Sequence, residues 1–258
     1  MSANSKIEWT DHTFNPWIGC TKVSEGCKHC YAESVAARFK LAQWGPSAPR
    51  RPASERMWAE PRRWDRAAHA AGTRARVFCA SMADVLENHP SIRPEWRTRL
   101  FSTIERTPHL DWLLLTKRPE NWARLFCASW PFDNAMLGIT IEDREALTAR
   151  RNWLANAWLA RGERVFLSYE PALGPVDFSG LLRTGQVRWL IAGGESGPHA
   201  RPADPDWFRA ARDQCAAHRV PFFFKQWGTF RDGVRLGKRA AGRLLDGREH
   251  NEFPVAAP

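Results

Sequence analysis

The sequence predicts an α/β fold: a partial (β/α) TIM-like barrel of about six to eight mostly parallel strands, in a single domain over residues 1–258. Three observations predict it. Short apolar runs recur along the chain, each continuous rather than alternating, as in strands buried on both faces of a parallel sheet. Segments with helical spacing lie between them. Polar and charged residues follow each run, where parallel barrels place binding and catalysis.

The chain begins with Ile7, Trp9, Phe14, Trp17 and Ile18 around Asn15-Pro16, a short extended segment with a turn. Three cysteines follow, Cys20, Cys27 and Cys30, spaced C-x6-C-x2-C. Tyr31 to Leu41 then has helical spacing, with Tyr31, Val35 and Phe39 at i, i+4 and i+8. A helix N-terminus directly after the cysteines carries positive partial charge, favourable beside thiolates or an anionic cluster. Residues 42–76 change character. Gly45-Pro46, Pro49, Pro52 and Pro61 punctuate them, and Arg50-Arg51 and Arg62-Arg63 make them basic. They read as a surface excursion with short helical pieces: a solvated loop, a lid or a nucleic-acid contact.

The strand-like runs are Val77–Ser81, Trp112–Thr116, Met136–Ile141, Val165–Ser168, Trp189–Ala192 and Val220–Phe224. The helix-capable segments between them are Pro94–Arg106, Pro119–Ala128, Arg144–Ala160 and Pro205–His218. Residues 229–258 form a basic, glycine-punctuated tail, read as a C-terminal arm or a closing hairpin.

After the runs come Ser81 to Asp84, Thr116-Lys117-Arg118-Pro119, Glu142-Asp143, Glu170-Pro171, Gly193-Gly194-Glu195 and Lys225-Gln226-Trp227-Gly228. Helix N-caps account for some Ser, Thr and Asp here, but not for Lys117, Glu170, Glu195 and Lys225 together. Gly193-Gly194 lets a backbone approach a ligand closely, or simply makes a tight turn. No G-x-G-x-x-G is present, so this is not the dinucleotide fingerprint. Lys117 and Arg118 suit a carboxylate or phosphate, or form a solvated pair.

The composition, 43% hydrophobic and 26% charged, is that of a folded soluble protein. No apolar stretch approaches the roughly 20 residues of a membrane span. The first residues do not resemble a secretory signal. A cytoplasmic location is expected, where clustered thiols serve metals or chemistry rather than disulfides. Net charge is +10, which points to a polyanionic partner, DNA or RNA. Only seven of the 38 basic residues are lysine, so arginine-rich genome composition is the competing explanation. Most of the 14 tryptophans are expected in or over the core, with a few available to stack on bases.

Cys79, Cys127 and Cys215 are isolated, so the trio carries the metal argument. A C-x2-C pair places two sulfurs on one turn and suits a metal more than a disulfide. A closed zinc site takes four ligands. A four-iron cluster held by three thiolates leaves one iron free, the arrangement of enzymes that cleave S-adenosylmethionine reductively. Those enzymes usually carry C-x3-C-x2-C, and the longer first spacer is a departure. Zinc with His12, His29 or Cys79 as fourth ligand stays open, as do thiols without metal.

Taken together, Trp9-Thr10, Phe14-Asn15-Pro16-Trp17, Gly19-Cys20, Gly26-Cys27, Cys30-Tyr31-Ala32-Glu33, Leu115 to Pro119, Glu170-Pro171, Gly193 to Gly197, Phe223 to Gly228 and the Gly237–Arg248 tail resemble one family. It is the family of uncharacterised phage-type proteins found in phages, prophages and bacterial genomes. The resemblance implies a radical S-adenosylmethionine-like partial barrel and supplies no substrate. On that reading Cys20, Cys27 and Cys30 hold a [4Fe-4S] cluster, and a 5′-deoxyadenosyl radical is generated. Glu170, Glu195 and Lys117, with Gly193 and Gly194, position the cofactor, and Lys225 and Gln226 stand nearer the substrate as catalytic candidates. A nucleic-acid base or nucleotide is the expected substrate class, with an electron donor such as a flavodoxin or ferredoxin. The alternative is a non-catalytic nucleic-acid-binding protein with a structural zinc. A zinc hydrolase ranks last, because three thiolates donate so much charge that a bound water is poorly acidified.

Overall fold

A computed structural model describes residues 5–125, 132–155 and 165–254. By internal contacts the chain resolves into two compact units. The first comprises Met1–Val23 and Ala32–Leu137, the second Ser24–Tyr31 and Gly138–Pro258.

In the first unit the expected extended segment contains two short strands, β1 (His12–Thr13) and β2 (Trp17–Ile18). Helix α1 (Tyr31–Arg38) begins at the last residue of the cysteine segment. It stops short of Leu41 because Lys40 turns left-handed, at φ 50°. The Leu41 amide reaches back to the Ala36 carbonyl at 2.9 Å and the Lys40 amide to Ala37 at 3.2 Å, which closes the helix end.

Strand β3 (Arg51–Pro52) pairs antiparallel with β2. Helix α2 (Glu55–Ala70) follows. The sequence predicts only short helical pieces here, yet the structure holds 16 helical residues. Ser54 caps the start, its hydroxyl accepting from the Met57 amide at 3.4 Å. Trp58, Pro61, Trp64 and Ala68 share one buried face, so Pro61 lies within the packed stripe of a helix it does not end. Strand β4 (Ala75–Cys79), helix α3 (Pro94–Glu105), strand β5 (Leu110–Thr116) and the short helix α4 (Trp122–Leu125) complete this part of the chain. Phe14 packs edge-on against Trp58 and Trp112, with ring centroids 5.0 and 5.7 Å apart.

Strand β6 (Ala135–Thr140) runs across the division between the units. The second unit continues with α5 (Arg144–Ala155), β7 (Val165–Tyr169), α6 (Ser179–Leu182), β8 (Val187–Gly193), α7 (Pro205–Ala217) and β9 (Phe222–Gln226). Asp204 caps α7 and Pro205 occupies its first turn, a pre-organised start. Phe208 of α7 packs on Phe224 of β9 at 5.0 Å and on Trp227 at 5.5 Å. The tail holds a two-stranded hairpin, β10 (Phe230–Arg231) against β11 (Val234–Arg235), and then the short helix α8 (Lys238–Ala241).

The sheet's strand order is β1-β4-β5-β6-β7-β8-β9. The pairs β1–β4, β4–β5, β7–β8 and β8–β9 are parallel. Strand order follows chain order with no reversal, which is the order of part of a (β/α) barrel rather than of a doubly wound sheet. The α/β class and all six apolar runs stand as strands. Residues 126–128 and 156–160 of two expected helices, and Cys127, lie outside the described residues. Among the described residues no helix is long and apolar enough to cross a membrane.

Candidate functional site

Both units place charged side chains after the C-terminal ends of parallel strands, and both carry part of the cysteine motif. Cys20 belongs to the first unit and Cys27 and Cys30 to the second.

In the second unit, a turn of 3-10 helix over Glu25–Cys27 carries Cys27, whose side chain is buried, and Cys30 follows half-buried. Three groups hold this segment. The first is Glu142, which follows β6 and is fully buried. Its carboxylate accepts from the Ser24 hydroxyl at 2.6 Å and from Arg150 of α5 at 2.5 Å. Gly26 lies flat on that carboxylate: a Cβ there would stand 2.5 Å from Oε1 and 2.6 Å from Cγ. The second is Glu195, after β8, whose Oε2 lies 3.3 Å from His29 Nδ1. The third is Arg201. Its guanidinium donates to both Glu195 oxygens, at 2.9 and 2.7 Å, and to the Glu25 carbonyl at 3.0 Å. The Arg201 amide adds a bond to Glu195 at 2.8 Å. Burial raises the Glu195 pKa, but these Arg201 bonds and His29 outweigh it and hold the carboxyl below its usual range. Glu195 thus anchors the cysteine segment, with both oxygens occupied.

Glu170, after β7, accepts from Lys225 Nζ of β9 at 2.6 Å, with each side chain less than one-fifth exposed. Gly193 lies beside this pair: a Cβ there would be 3.4 Å from Glu170 Cδ. Gln226 is buried, donates to the Ser196 hydroxyl at 3.0 Å, and leaves its Oε1 with no hydrogen-bond partner among the described residues. Glu170, Gly193, Lys225 and Gln226 are therefore neighbours, as the sequence predicts for one strand edge.

In the first unit, four buried charges surround Cys20 and Thr21. Arg50 donates to both Glu87 oxygens, at 2.8 and 2.7 Å, and to the Thr21 hydroxyl at 2.7 Å. Arg118 donates to Asp84 at 2.9 Å, and to the Thr21 carbonyl. Glu87 accepts from the Thr21 amide at 2.9 Å. Asp84 also accepts from the Thr116 hydroxyl at 2.7 Å and the Lys117 amide at 3.0 Å. Arg118 is thus no solvated partner of Lys117 but the interior half of an ion pair, and Lys117 stands half-buried at the same strand end. Arg118 Nη1 also lies 3.5 Å from Cys20 Sγ. Burial pushes the Cys20 thiol up to about 12, Asp84 adds to this, and Arg118 opposes it.

Among the described residues no three or more His, Cys, Asp or Glu side chains are arranged to hold a metal ion. As placed, Cys20 Sγ stands 3.4 Å from the Thr21 carbonyl and Cys27 Sγ 3.7 Å from the Ser24 hydroxyl. The anchoring roles of Glu142, Arg150, Arg201, Arg50 and Glu87 have no counterpart in the sequence reading. Glu142 alone had a signal, as a carboxylate directly after an apolar run.

A sequence model of the family described as "Protein of unknown function (DUF5131)" matches residues 4–254. No curated protein matches the chain, and no solved structure does.

Proposed function

We propose, from the premise that this chain belongs to the DUF5131 family of unknown function, that it is an iron–sulfur enzyme using S-adenosylmethionine. Cys20, Cys27 and Cys30 are its cluster ligands, and a nucleic-acid base or nucleotide is its substrate. The resemblance of its cysteine motif and strand-end residues to phage-type radical S-adenosylmethionine-like proteins favours this reading.

The observation that carries it lies in the second unit. The Cys27–Cys30 segment is held by Glu142, Glu195 and Arg201 at the strand ends where Glu170, Lys225 and Gln226 also stand. The donor set suits the group: soft thiols, two of them spaced C-x2-C, favour iron–sulfur or zinc over hard cations. When bound, such a cluster supplies one electron and an open iron for S-adenosylmethionine.

The chain's own residues do the rest. Lys225 presents an ammonium suited to a ligand carboxylate or phosphate, and Glu170 a carboxylate suited to a ligand ammonium. Exchanging their mutual bond for ligand bonds keeps both charges paired. The Gln226 Oε1 atom, buried and without a hydrogen-bond partner among the described residues, suits an exocyclic amine or a ribose hydroxyl. Lys117, at the β5 end of the other unit, serves cofactor positioning in this proposal. A flavodoxin- or ferredoxin-type protein supplies the electron.

The test is anaerobic purification with iron and sulfide reconstitution, followed by metal and sulfide analysis and a reductive assay for 5′-deoxyadenosine. About four irons per chain are expected, lost in Cys27→Ala. One tightly held zinc without iron, unchanged by reconstitution, overturns the reading in favour of a structural site.

A further inference from the structure

Helices α2 and α3 of the first unit enclose a surface groove of about 420 Å³. Five arginines line it, Arg62, Arg63 and Arg66 from α2, and Arg99 and Arg106 from α3 and its C-cap, against one carboxylate, Glu55. That carboxylate is already spent: Arg99 grips both Glu55 oxygens, at 2.6 and 2.5 Å. Arg63 is paired with Glu60 at 2.8 Å. Arg62, Arg66 and Arg106 have no carboxylate partner among the described residues, and all three are exposed. Converging unpaired guanidiniums repel one another, and an anion between them removes that cost.

From this groove we infer a second binding site, one that holds the phosphate backbone of a nucleic-acid strand without reading its bases. Length favours a strand over a compact anion. Arg62 and Arg66 are one helical turn apart, and Arg99 and Arg106 are separated by about 10 Å along the axis. Consecutive phosphates of one strand lie closer together than that, so the groove is long enough to meet more than one of them. Backbone rather than base contact follows from the one aromatic in the groove. Trp58 is 7% exposed, and its ring is covered by the Arg99 guanidinium 4.6 Å above it, so no face is left for a base to stack on. Arginine suits the task, because its planar fork matches phosphate oxygens.

This inference rests on the nucleic-acid part of the proposed function, placing its backbone contact, and does not involve the cluster. The test measures binding alone. Full-length protein is titrated against a fluorescently labelled 20-nucleotide single strand and its duplex across a salt series. The variant Arg62→Gln/Arg66→Gln/Arg106→Gln leaves both ion pairs in place. A charge-matched control, Arg144→Gln/Arg183→Gln/Arg188→Gln, removes three exposed arginines elsewhere. The salt slope of the groove variant should flatten by about one for each guanidinium removed, about three in all. The control should keep the wild-type slope, and different base sequences should bind alike. Equal losses in variant and control overturn the groove while leaving a nucleic-acid substrate standing. Displacement of the strand by an equimolar mononucleotide also overturns it, since a compact anion then suffices. No wild-type binding at all overturns both the groove and the nucleic-acid reading, and cluster content, measured separately, is unaffected by any of these results.

Discussion

Gly194 and Trp227 are in backbone contact: a Cβ on residue 194 would lie 1.9 Å from the Trp227 carbonyl oxygen. Gly228 answers from the other side. It has φ 86°, and a Cβ there would lie 2.2 Å from the Glu195 carbonyl. The segments that follow the parallel strands β8 and β9 therefore run in close backbone contact through two glycines, next to Glu195, Lys225 and Gln226.

Gly194→Ala has no room to relax, because its obstacle is backbone. It should cost at least about 2 kcal/mol in urea unfolding. Gly193→Ala, in ordinary contact with Glu170 at 3.4 Å, should stay within about 1 kcal/mol. A loss in Gly194→Ala as small as that expected for Gly193→Ala would show that this backbone contact tolerates a methyl group.

Gly26→Ala tests whether the cysteine segment must lie on Glu142. That carboxylate is pinned by Ser24 and Arg150, so the added methyl displaces the loop rather than the carboxylate. Iron per chain after reconstitution should fall toward the Cys27→Ala level, while the urea midpoint moves by no more than about 2 kcal/mol equivalent. Full iron loading in Gly26→Ala would show that the loop's seat on Glu142 is not needed for metal.

Arg118→Met removes one of three buried cations around Asp84 and Glu87, taking the direct ion-pair partner of Asp84 and leaving Arg50 on Glu87 and Arg97 nearby. A loss of about 3–5 kcal/mol is expected. Adding Asp84→Asn should recover part of it, since the uncompensated charge then disappears. Additive losses in the double variant would mean that Arg118 acts through packing alone.

The sheet was legible because parallel strands buried on both faces leave continuous apolar runs, as at Trp112–Thr116 and Val165–Ser168. Helix α2 was not, because Pro61 reads as a breaker and only the packed face of Trp58, Trp64 and Ala68 retains it. Strand-end residues were legible by position, and their partners were not. Glu142 meets Ser24 across 118 positions, and Arg201 meets Glu25 across 176, separations with no local pattern. Gly193-Gly194 admitted a ligand or a turn from sequence, whereas the reason for Gly194 is the Trp227 carbonyl, which no spacing reveals.

Arg201→Met makes the anchoring of Glu195 visible in pH. In the wild type, burial would raise this carboxyl, but the Arg201 bonds and His29 hold it below its ordinary 4.5. A depressed carboxyl contributes stability that is fully present above 4.5 and is lost as pH falls through the folded value. In Arg201→Met the guanidinium bonds are gone and burial acts with less opposition, so the folded value moves up and this carboxyl contributes less acid-driven loss of stability than in the wild type. Urea midpoints of the two proteins between pH 7 and pH 3 should be farthest apart near neutrality and converge on acidification. The difference comes from an ion pair that exists only while Glu195 is ionised. A gap of constant size across that range would mean that Arg201 contributes packing alone, and that the cysteine segment is not held electrostatically through Glu195.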